Sequence, residues 1–276
     1  MIKKMIVVIL VMFFNNVVFA ESHDAIIESE KLRAAVYYPP DYSRFDSMKK
    51  WPVFLFAHGF AGSALSLDIL LDKIASLGIL VVAVEHNDPV AFERIPPARG
   101  DKKWKVFRYM KNHPFSEKEY NYRPLEFKQF IKLVIDKLPV NRSKVIFAGH
   151  SMGGYSIINA LNNPYVKPRA IVTYSTGELN YRKGRAYFPP QQLQSLSIPL
   201  LLFYGEKEFD PNKGPYAREI ARHYAGQVNV YMVKGGTHLS YNDPIRPFQK
   251  EKRLQEIEMI FQQTKIFIES LDDYKV

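Results

Sequence analysis

The chain has 276 residues, 47% of them hydrophobic, which is enough to bury a sizeable core in one α/β domain. It contains no cysteine, which excludes disulfides and cysteine-ligated structural zinc. The formal net charge of +10 favours contact with anionic surfaces such as phospholipid head groups. Because the basic residues are scattered and no nucleic-acid-binding motif occurs, this charge does not indicate a nucleic-acid partner.

The first 20 residues have the layout of a secretory signal peptide. A short basic start, MIKK, precedes the apolar stretch MIVVILVMFF, and VVFA ends in a small residue. The apolar stretch is shorter than the roughly 20 residues of a membrane span. We therefore expect cleavage near Ala20, a secreted or periplasmic location, and a single domain over residues 21–276. An uncleaved N-terminal anchor is the alternative.

Apolar runs of strand length alternate with amphipathic segments of helix length along the rest of the chain. The predicted strands are LRAAVYYP, WPVFLFAHG, ILVVAVEH, KVIFAG, AIVTYS, IPLLLFYG and VNVYMVKG. The predicted helices are SALSLDILLDKIASLG, PLEFKQFIKLVIDKL, SMGGYSIINALNN, PYAREIARHYA and RLQEIEMIFQQTKIFIESL. This order predicts an α/β fold with a mostly parallel sheet and helices on both faces. Residues 87–120, with four prolines and many charges, break the pattern and predict a long loop or partial lid.

The stretch FAGHSMGGYS, residues 147–156, places Ser151 in a Gly-x-Ser-x-Gly pattern between a predicted strand and a predicted helix. This context is typical of a nucleophile elbow, a sharp turn that needs small neighbours such as Gly149 and Gly153. The turn also leaves the N–H of Met152 at a helix N-terminus, where it faces incoming negative charge. Ser151 is therefore the predicted nucleophile, with a structural turn as the alternative.

A serine nucleophile needs a histidine base that is oriented by an acid. Among the seven histidines, His238 in KGGTHLSY follows the last predicted strand and is the candidate base. The acid should follow IPLLLFYG, where the chain offers Glu206, Glu208 and Asp210. The shorter, stiffer side chain favours Asp210, Glu208 is the alternative, and Glu206 is expected to face solvent.

Two further residues are candidates for contact with the substrate. The backbone N–H of Phe60, in the HGFAG loop after a predicted strand, is the expected second oxyanion donor. Tyr174, at the end of AIVTYS, is expected to line the substrate cleft. Core packing is the alternative role for both aromatic rings.

The chain resembles the α/β-hydrolase superfamily over almost its whole length after the leader. The segments that carry the resemblance are FAHGFAGS, GILVVAVEHNDP, YRPLEFKQFIKLVIDKL, GHSMGGYS and GGTHLSY. The likeness is closer to the secreted branch of dienelactone-hydrolase-like proteins, platelet-activating-factor-acetylhydrolase-like esterases and cutinase-like polyester hydrolases. It implies an eight-stranded sheet, an active site of Ser151, His238, the acid and the backbones of Phe60 and Met152, and ester hydrolysis with no cofactor or metal. The chain departs from the family in having Glu208 at the Gly-x-x-Asp position.

These features predict an exported serine esterase, lipase-like, that cleaves short to medium acyl esters of lipid or polyester type through an acyl-enzyme. The expected partners are the ester substrate and, weakly, an anionic membrane surface. A serine peptidase of the prolyl-oligopeptidase type and a non-catalytic binding protein on the same fold are the alternatives.

Overall fold

Nine strands and the helices around them make up the part of the chain that the computed structural model describes, residues 17–20, 23–28, 32–42, 49–92, 102–113, 120–176, 193–208, 216–242 and 250–271. The strands are β1 (Val17–Ala20), β2 (His23–Glu28), β3 (Arg33–Tyr37), β4 (Trp51–Ala57), β5 (Leu80–Glu85), β6 (Val140–His150), β7 (Ala170–Tyr174), β8 (Leu200–Gly205) and β9 (Val228–Val233). The helices are α1 (Asp68–Ala75), α2 (Lys103–Asn112), α3 (Tyr122–Lys137), α4 (Met152–Asn159), α5 (Tyr216–His223) and α6 (Lys250–Glu269).

The strands form one mixed sheet in the order β1-β2-β3-β5-β4-β6-β7-β8-β9. The pairs β1-β2, β2-β3 and β3-β5 are antiparallel. The other five pairs, β5-β4, β4-β6, β6-β7, β7-β8 and β8-β9, are parallel. The carboxyl ends of the six parallel strands therefore lie at one edge of the sheet, where sites in open α/β folds are found. The predicted α/β class with a mostly parallel sheet is confirmed.

The strands β4, β5, β7 and β8 are buried along nearly their whole length, as is the second half of β6, because helices cover both faces of the sheet. In β4, Val53 and Leu55 pack into the core cluster beneath α3 and α4. Phe54 and Phe56 point to the opposite face, into the core cluster beneath α1 and α6. Successive side chains of a strand point to opposite faces of the sheet. Because helices cover both faces here, these side chains enter two separate hydrophobic cores, not one core and solvent.

Over the described residues the sheet has nine strands, whereas the resemblance implies eight and the apolar runs predict seven, β3 to β9. The strands that the runs do not predict are β1 and β2, and β1 lies inside the segment that the sequence assigns to a signal peptide. Its apolar, β-branched residues are suited to strand pairing as well as to a leader, so composition alone does not separate the two.

The predicted loop over residues 87–120 contains α2, a helix of 10 residues. Residues 93–101 and 114–119 lie outside the described residues. Within the ranges described, no helix is both long enough and apolar enough to span a bilayer.

Candidate functional site

Ser151 stands at the turn from β6 into α4, with backbone angles of φ 54° and ψ −118°. Its N–H donates to the carbonyl oxygen of Tyr174 on the neighbouring strand at 2.8 Å. A Cβ on Gly149 would lie 2.4 Å from the carbonyl carbon of Gly153, and a Cβ on Gly153 would lie 1.9 Å from the carbonyl oxygen of Ala57. Only residues without a side chain permit this approach, so the chain makes the sharp turn that the motif predicts.

Backbone strain marks the same edge of the sheet independently of the motif. In the described ranges, the non-glycine residues with positive φ are Ala61 (60°), Ser151 (54°) and Ser175 (52°). They follow the carboxyl ends of β4, β6 and β7 respectively. Such conformations cost about 1–3 kcal/mol each, persist where the surroundings impose them, and cluster at functional sites.

His238 lies in the loop after β9 and contacts the candidate nucleophile. Its Nε2 is 2.9 Å from Ser151 Oγ, which is hydrogen-bonding distance. The hydroxyl can donate only if this nitrogen carries no proton, which is the state a general base requires. The side chain of His238 is 24% exposed, so the imidazole is open to solvent on one side.

His150, directly before the nucleophile, tethers the loop that carries His238. Its Nε2 lies 2.9 Å from the carbonyl oxygen of His238. A carbonyl only accepts, so His150 donates through Nε2. Burial and the neighbouring His238 lower the pKa of His150 to about 3, which keeps the ring neutral. The sequence did not predict this contact.

Glu208 is the carboxylate that the structure brings to His238. It ends the 3-10 turn Glu206–Glu208 after β8, and its Oε2 lies 3.8 Å from His238 Nδ1. This distance is longer than a hydrogen bond, as is common in catalytic sites without substrate. Its Oε1 accepts a hydrogen bond of 2.5 Å from the hydroxyl of Ser175, which holds the carboxylate in place. Asp210, the acid that the sequence favours, lies outside the described residues.

Glu206, which the sequence predicts to face solvent, is half-buried and also contacts the histidine loop. Its Oε2 accepts a hydrogen bond of 2.6 Å from the N–H of Gly235, at the start of the loop that carries His238. Two carboxylates of one short turn therefore contact the same loop, Glu206 through the backbone and Glu208 through the imidazole.

The two candidate oxyanion donors lie on either side of the turn. Met152 is buried and is the first residue of α4. Because the first N–H groups of a helix have no acceptor within the helix, the N–H of Met152 points out of the helix N-terminus. Phe60 follows Gly59, and a Cβ on Gly59 would lie 3.3 Å from Ser151 Cβ. The Phe60 ring is 9% exposed and packs against Tyr109 (ring centroids 5.9 Å apart) and Tyr120 (5.3 Å).

The prediction that Tyr174 lines the cleft is wrong for its side chain, which has no exposed surface. The ring packs between Phe203 and Tyr241, and its hydroxyl lies 3.4 Å from Thr264 Oγ1 on α6. Residues two apart in a strand lie on the same face of the sheet, so Tyr174 points to the same side as Val172, into the core beneath α6. Tyr174 contacts the site through its carbonyl oxygen alone among the contacts described.

Over the described residues, no cluster of three or more histidine, cysteine, aspartate or glutamate side chains could hold a metal ion.

The sheet order, the strained turn and the histidine loop after the last strand define an α/β hydrolase. A ferulic acid esterase from Streptomyces cinnamoneus superposes with a TM-score of 0.64 at 17% identity, over 92% of this chain and 87% of that one. An esterase from Thermogutta terrifontis gives 0.58 at 14% identity over 95% and 94%. A dienelactone hydrolase from Anabaena variabilis gives 0.57 at 13% identity over 93% and 97%. At these identities the likeness shows the fold, and the resemblance read from the sequence is confirmed.

The family model Esterase, described as "Putative esterase", matches residues 27–256, and the chain belongs to this family. Platelet-activating factor acetylhydrolase of Cavia porcellus is 25% identical over 229 residues, 71% of this chain and 49% of the relative. The Bos taurus protein of the same name is 26% identical over 144 residues, 41% of this chain and 32% of the relative. The chain thus spans half or less of these relatives' length. Family and fold are those of carboxylic ester hydrolases.

Burial of His150 predicts that the protein loses stability in mild acid. The unfolded chain binds a proton near pH 6.5, whereas the folded pKa is about 3. The contribution to stability is therefore complete above pH 6.5 and is lost as the pH falls toward 3. For this residue we expect the free energy of unfolding to drop by about 2 kcal/mol between pH 7.5 and pH 5.0. Urea unfolding at the two pH values measures it.

The matched variants are His150→Gln and His223→Gln. Glutamine can still donate to the carbonyl of His238 but does not titrate, so His150→Gln should lose about 2 kcal/mol of the acid-induced drop. His223 lies on α5, away from this edge, and its variant should behave as wild type. An equal drop in wild type and His150→Gln would contradict the prediction.

Proposed function

We propose that the protein hydrolyses carboxylic esters through an acyl-enzyme formed on Ser151. The observation that carries the proposal is the 2.9 Å contact between Ser151 Oγ and His238 Nε2 at a strained turn. As Oγ attacks the ester carbonyl carbon, Nε2 takes its proton, and the N–H groups of Met152 and Phe60 stabilise the oxyanion. The proton then passes to the leaving alcohol, and a water activated by His238 releases the acid.

We propose Glu208 as the acid of this site. Its carboxylate lies on the Nδ1 side of His238, opposite the nitrogen that faces Ser151. Its side chain is 7% exposed, so its charge is little screened by water. A shift of about 1 Å would bring Oε2 into hydrogen-bonding distance of Nδ1, which would fix the tautomer that the base needs.

The substrate class is proposed to be short to medium acyl esters of lipid or polyester type. Two relatives are named as acetylhydrolases of platelet-activating factor and one structural neighbour as a ferulic acid esterase, which favours ester over peptide bonds. We also propose export, which the layout of residues 1–20 supports. An exported product whose intact mass includes residues 1–20 would contradict cleavage near Ala20.

An anionic lipid surface is the proposed docking partner, and α2 is the surface that fits it. This helix exposes two large aromatic side chains, Trp104 at 53% and Phe107 at 61%. Its remaining exposed residues are basic or neutral, and its first turn has no acidic residue. Aromatic rings that enter the head-group region beside cations attracted to anionic lipid form the usual interfacial arrangement.

Replacing Ser151 by alanine should lower the turnover of p-nitrophenyl butyrate by more than about 10³-fold, because no other group can form the acyl-enzyme. Ser156→Ala is the matched control, since Ser156 is a buried serine of the adjacent helix α4 whose hydroxyl donates to the carbonyl oxygen of Met152. It should keep turnover within about threefold. An aminoacyl p-nitroanilide tests for peptidase activity. Ester turnover by Ser151→Ala within tenfold of wild type would exclude the proposed nucleophile.

Glu208→Gln should lower kcat by about 10⁴-fold, the order seen when the acid of such a site is neutralised. Glu206→Gln is the matched control two residues away, because an amide oxygen can still accept the hydrogen bond from Gly235. It should change kcat by less than about threefold. Asp210→Asn completes the series, measured over esters of increasing acyl length. A loss confined to Asp210→Asn would make Asp210 the acid.

The protein should bind vesicles with phosphatidylglycerol more tightly than vesicles of phosphatidylcholine alone, and binding should weaken as salt rises from 0.1 to 0.5 M. Co-sedimentation measures it. Phe107→Ser should reduce binding, whereas Ile266→Ser, a residue 56% exposed on α6, should not. Equal binding of both variants, or binding indifferent to salt, would contradict the assignment of α2.

A further inference from the structure

A buried ion pair that the proposed mechanism does not use lies behind the Phe60 loop. The guanidinium of Arg123, on α3, contacts the carboxylate of Asp88 through Nε (2.9 Å to Oδ1) and Nη2 (3.1 Å to Oδ2). Arg123 has no exposed surface and Asp88 is 2% exposed. Burial raises the pKa of Asp88, but the Arg123 charge, the neighbouring His58 and His86 and the hydrogen bond from Tyr122 together outweigh it and hold the pKa below its usual value. The Tyr122 hydroxyl donates to Oδ1 at 2.7 Å.

The ion pair holds three residues of the loop after β4, His58, Gly59 and Ala61. Arg123 donates to the carbonyl oxygens of His58 (Nη1, 3.0 Å) and Gly59 (Nη2, 3.3 Å). Asp88 Oδ2 accepts the N–H of Ala61 at 2.7 Å. Ala61 is one of the strained residues of this edge, and the buried carboxylate is a partner that stabilises its positive φ.

His58 adds a second hold on the same loop. Its Nε2 lies 3.0 Å from the N–H of His86, which can only donate, so the proton of the neutral ring is on Nδ1. Nδ1 lies 2.6 Å from the carbonyl oxygen of Gly59 and donates to it. Burial, followed by the Arg123 charge, lowers the pKa of His58 and keeps this neutral form. The Gly62 N–H also donates to the Gly59 oxygen, at 3.1 Å.

The orientation of Gly59 C=O determines the orientation of Phe60 N–H. The two groups belong to one planar trans peptide and point in opposite directions. Because the carbonyl is directed toward Arg123 and His58, the N–H is directed away from them. Gly59 itself lies against the nucleophile, since a Cβ on it would be 3.3 Å from Ser151 Cβ.

We propose that Arg123, Asp88 and His58 are positioning residues that fix the Phe60 N–H as an oxyanion donor before substrate binds. This inference rests on the proposed esterase function and names how its oxyanion site is built. A donor that is already oriented needs no rearrangement when charge develops, and one such donor is worth about 10²–10³ in rate. The ion pair is neutral as a unit, so it can orient the peptide without adding net charge to the site.

The test compares Arg123→Lys and Tyr122→Phe with Tyr37→Phe. Lysine keeps the charge but loses the planar fork that holds two carbonyls and a carboxylate. Tyr122→Phe keeps the ion pair and loses the hydroxyl bond to Asp88. Tyr37→Phe is the control. It also removes one hydrogen bond from a tyrosine to a carboxylate, 2.9 Å to Asp68, but this bond joins β3 to α1 and does not involve the Phe60 loop.

We expect kcat for p-nitrophenyl butyrate to fall at least about tenfold in Arg123→Lys and about threefold in Tyr122→Phe, with KM within about twofold, since the donor acts on the transition state. Affinity for a trifluoromethyl ketone, whose hemiketal oxygen occupies the oxyanion site, should fall in the same proportion. Tyr37→Phe should lower only the unfolding midpoint.

Wild-type kcat in both variants would overturn the inference and leave the proposed function standing. A fall in kcat that Tyr37→Phe shares to the same degree would also overturn it, because the effect would then follow stability. If Arg123→Lys does not fold, kcat and inhibitor affinity of Tyr122→Phe, compared with those of Tyr37→Phe, decide whether the inference holds. Absence of ester turnover in the wild type overturns the proposed function and the inference together.

Discussion

The backbone of Ser151, at φ 54°, is the constraint on which the rest of the site depends. It ends β6 and starts α4 within one residue, so the side chain stands at the sheet edge and the next N–H lies at a helix N-terminus. The conformation is unfavourable by itself. The hydrogen bond from its N–H to Tyr174 and the absence of side chains at Gly149 and Gly153 hold it in place.

Several buried titratable groups lie near the carboxyl edge of the sheet, and together they carry no net charge. Burial lowers the pKa of His58, His86 and His150, so these imidazoles stay neutral. Asp88 and Arg123 cancel each other. His238, whose side chain is one quarter exposed, is the imidazole at this edge that contacts Ser151 Oγ. The other groups contact the backbone of the surrounding loops: His58 bonds Gly59 C=O, and His150 bonds His238 C=O.

Local patterns were sufficient for the features that depend on neighbours in sequence. Apolar runs gave the parallel strands, and the Gly-x-Ser-x-Gly context gave the turn at Ser151. They did not predict β1 or β2, and the residues of β1 suit a leader as well as a strand. They also favoured the cleft over the core for the Tyr174 ring, because the sequence of a strand that is buried on both faces does not reveal where its last side chain points.

Contacts between distant segments were outside the reach of such reasoning. Asp88 and Arg123 are 35 residues apart, and each looks like an ordinary charged surface residue in the sequence. The tether from His150 to the His238 carbonyl spans 88 residues. The choice between Glu208, which is proposed as the acid, and Asp210 depends on the path of the backbone after β8, which side-chain length alone does not determine.

The stacking of Tyr109 on Phe60 connects the exposed helix α2 to the loop beside Ser151. Tyr109 belongs to α2, and the ring centroids are 5.9 Å apart. Phe60, whose N–H is the proposed oxyanion donor, is therefore also part of the packing of the basic, aromatic helix. A displacement of α2 would act through this ring contact on the residue next to the candidate nucleophile, so the position of an exposed helix and the geometry of the proposed oxyanion site are mechanically linked.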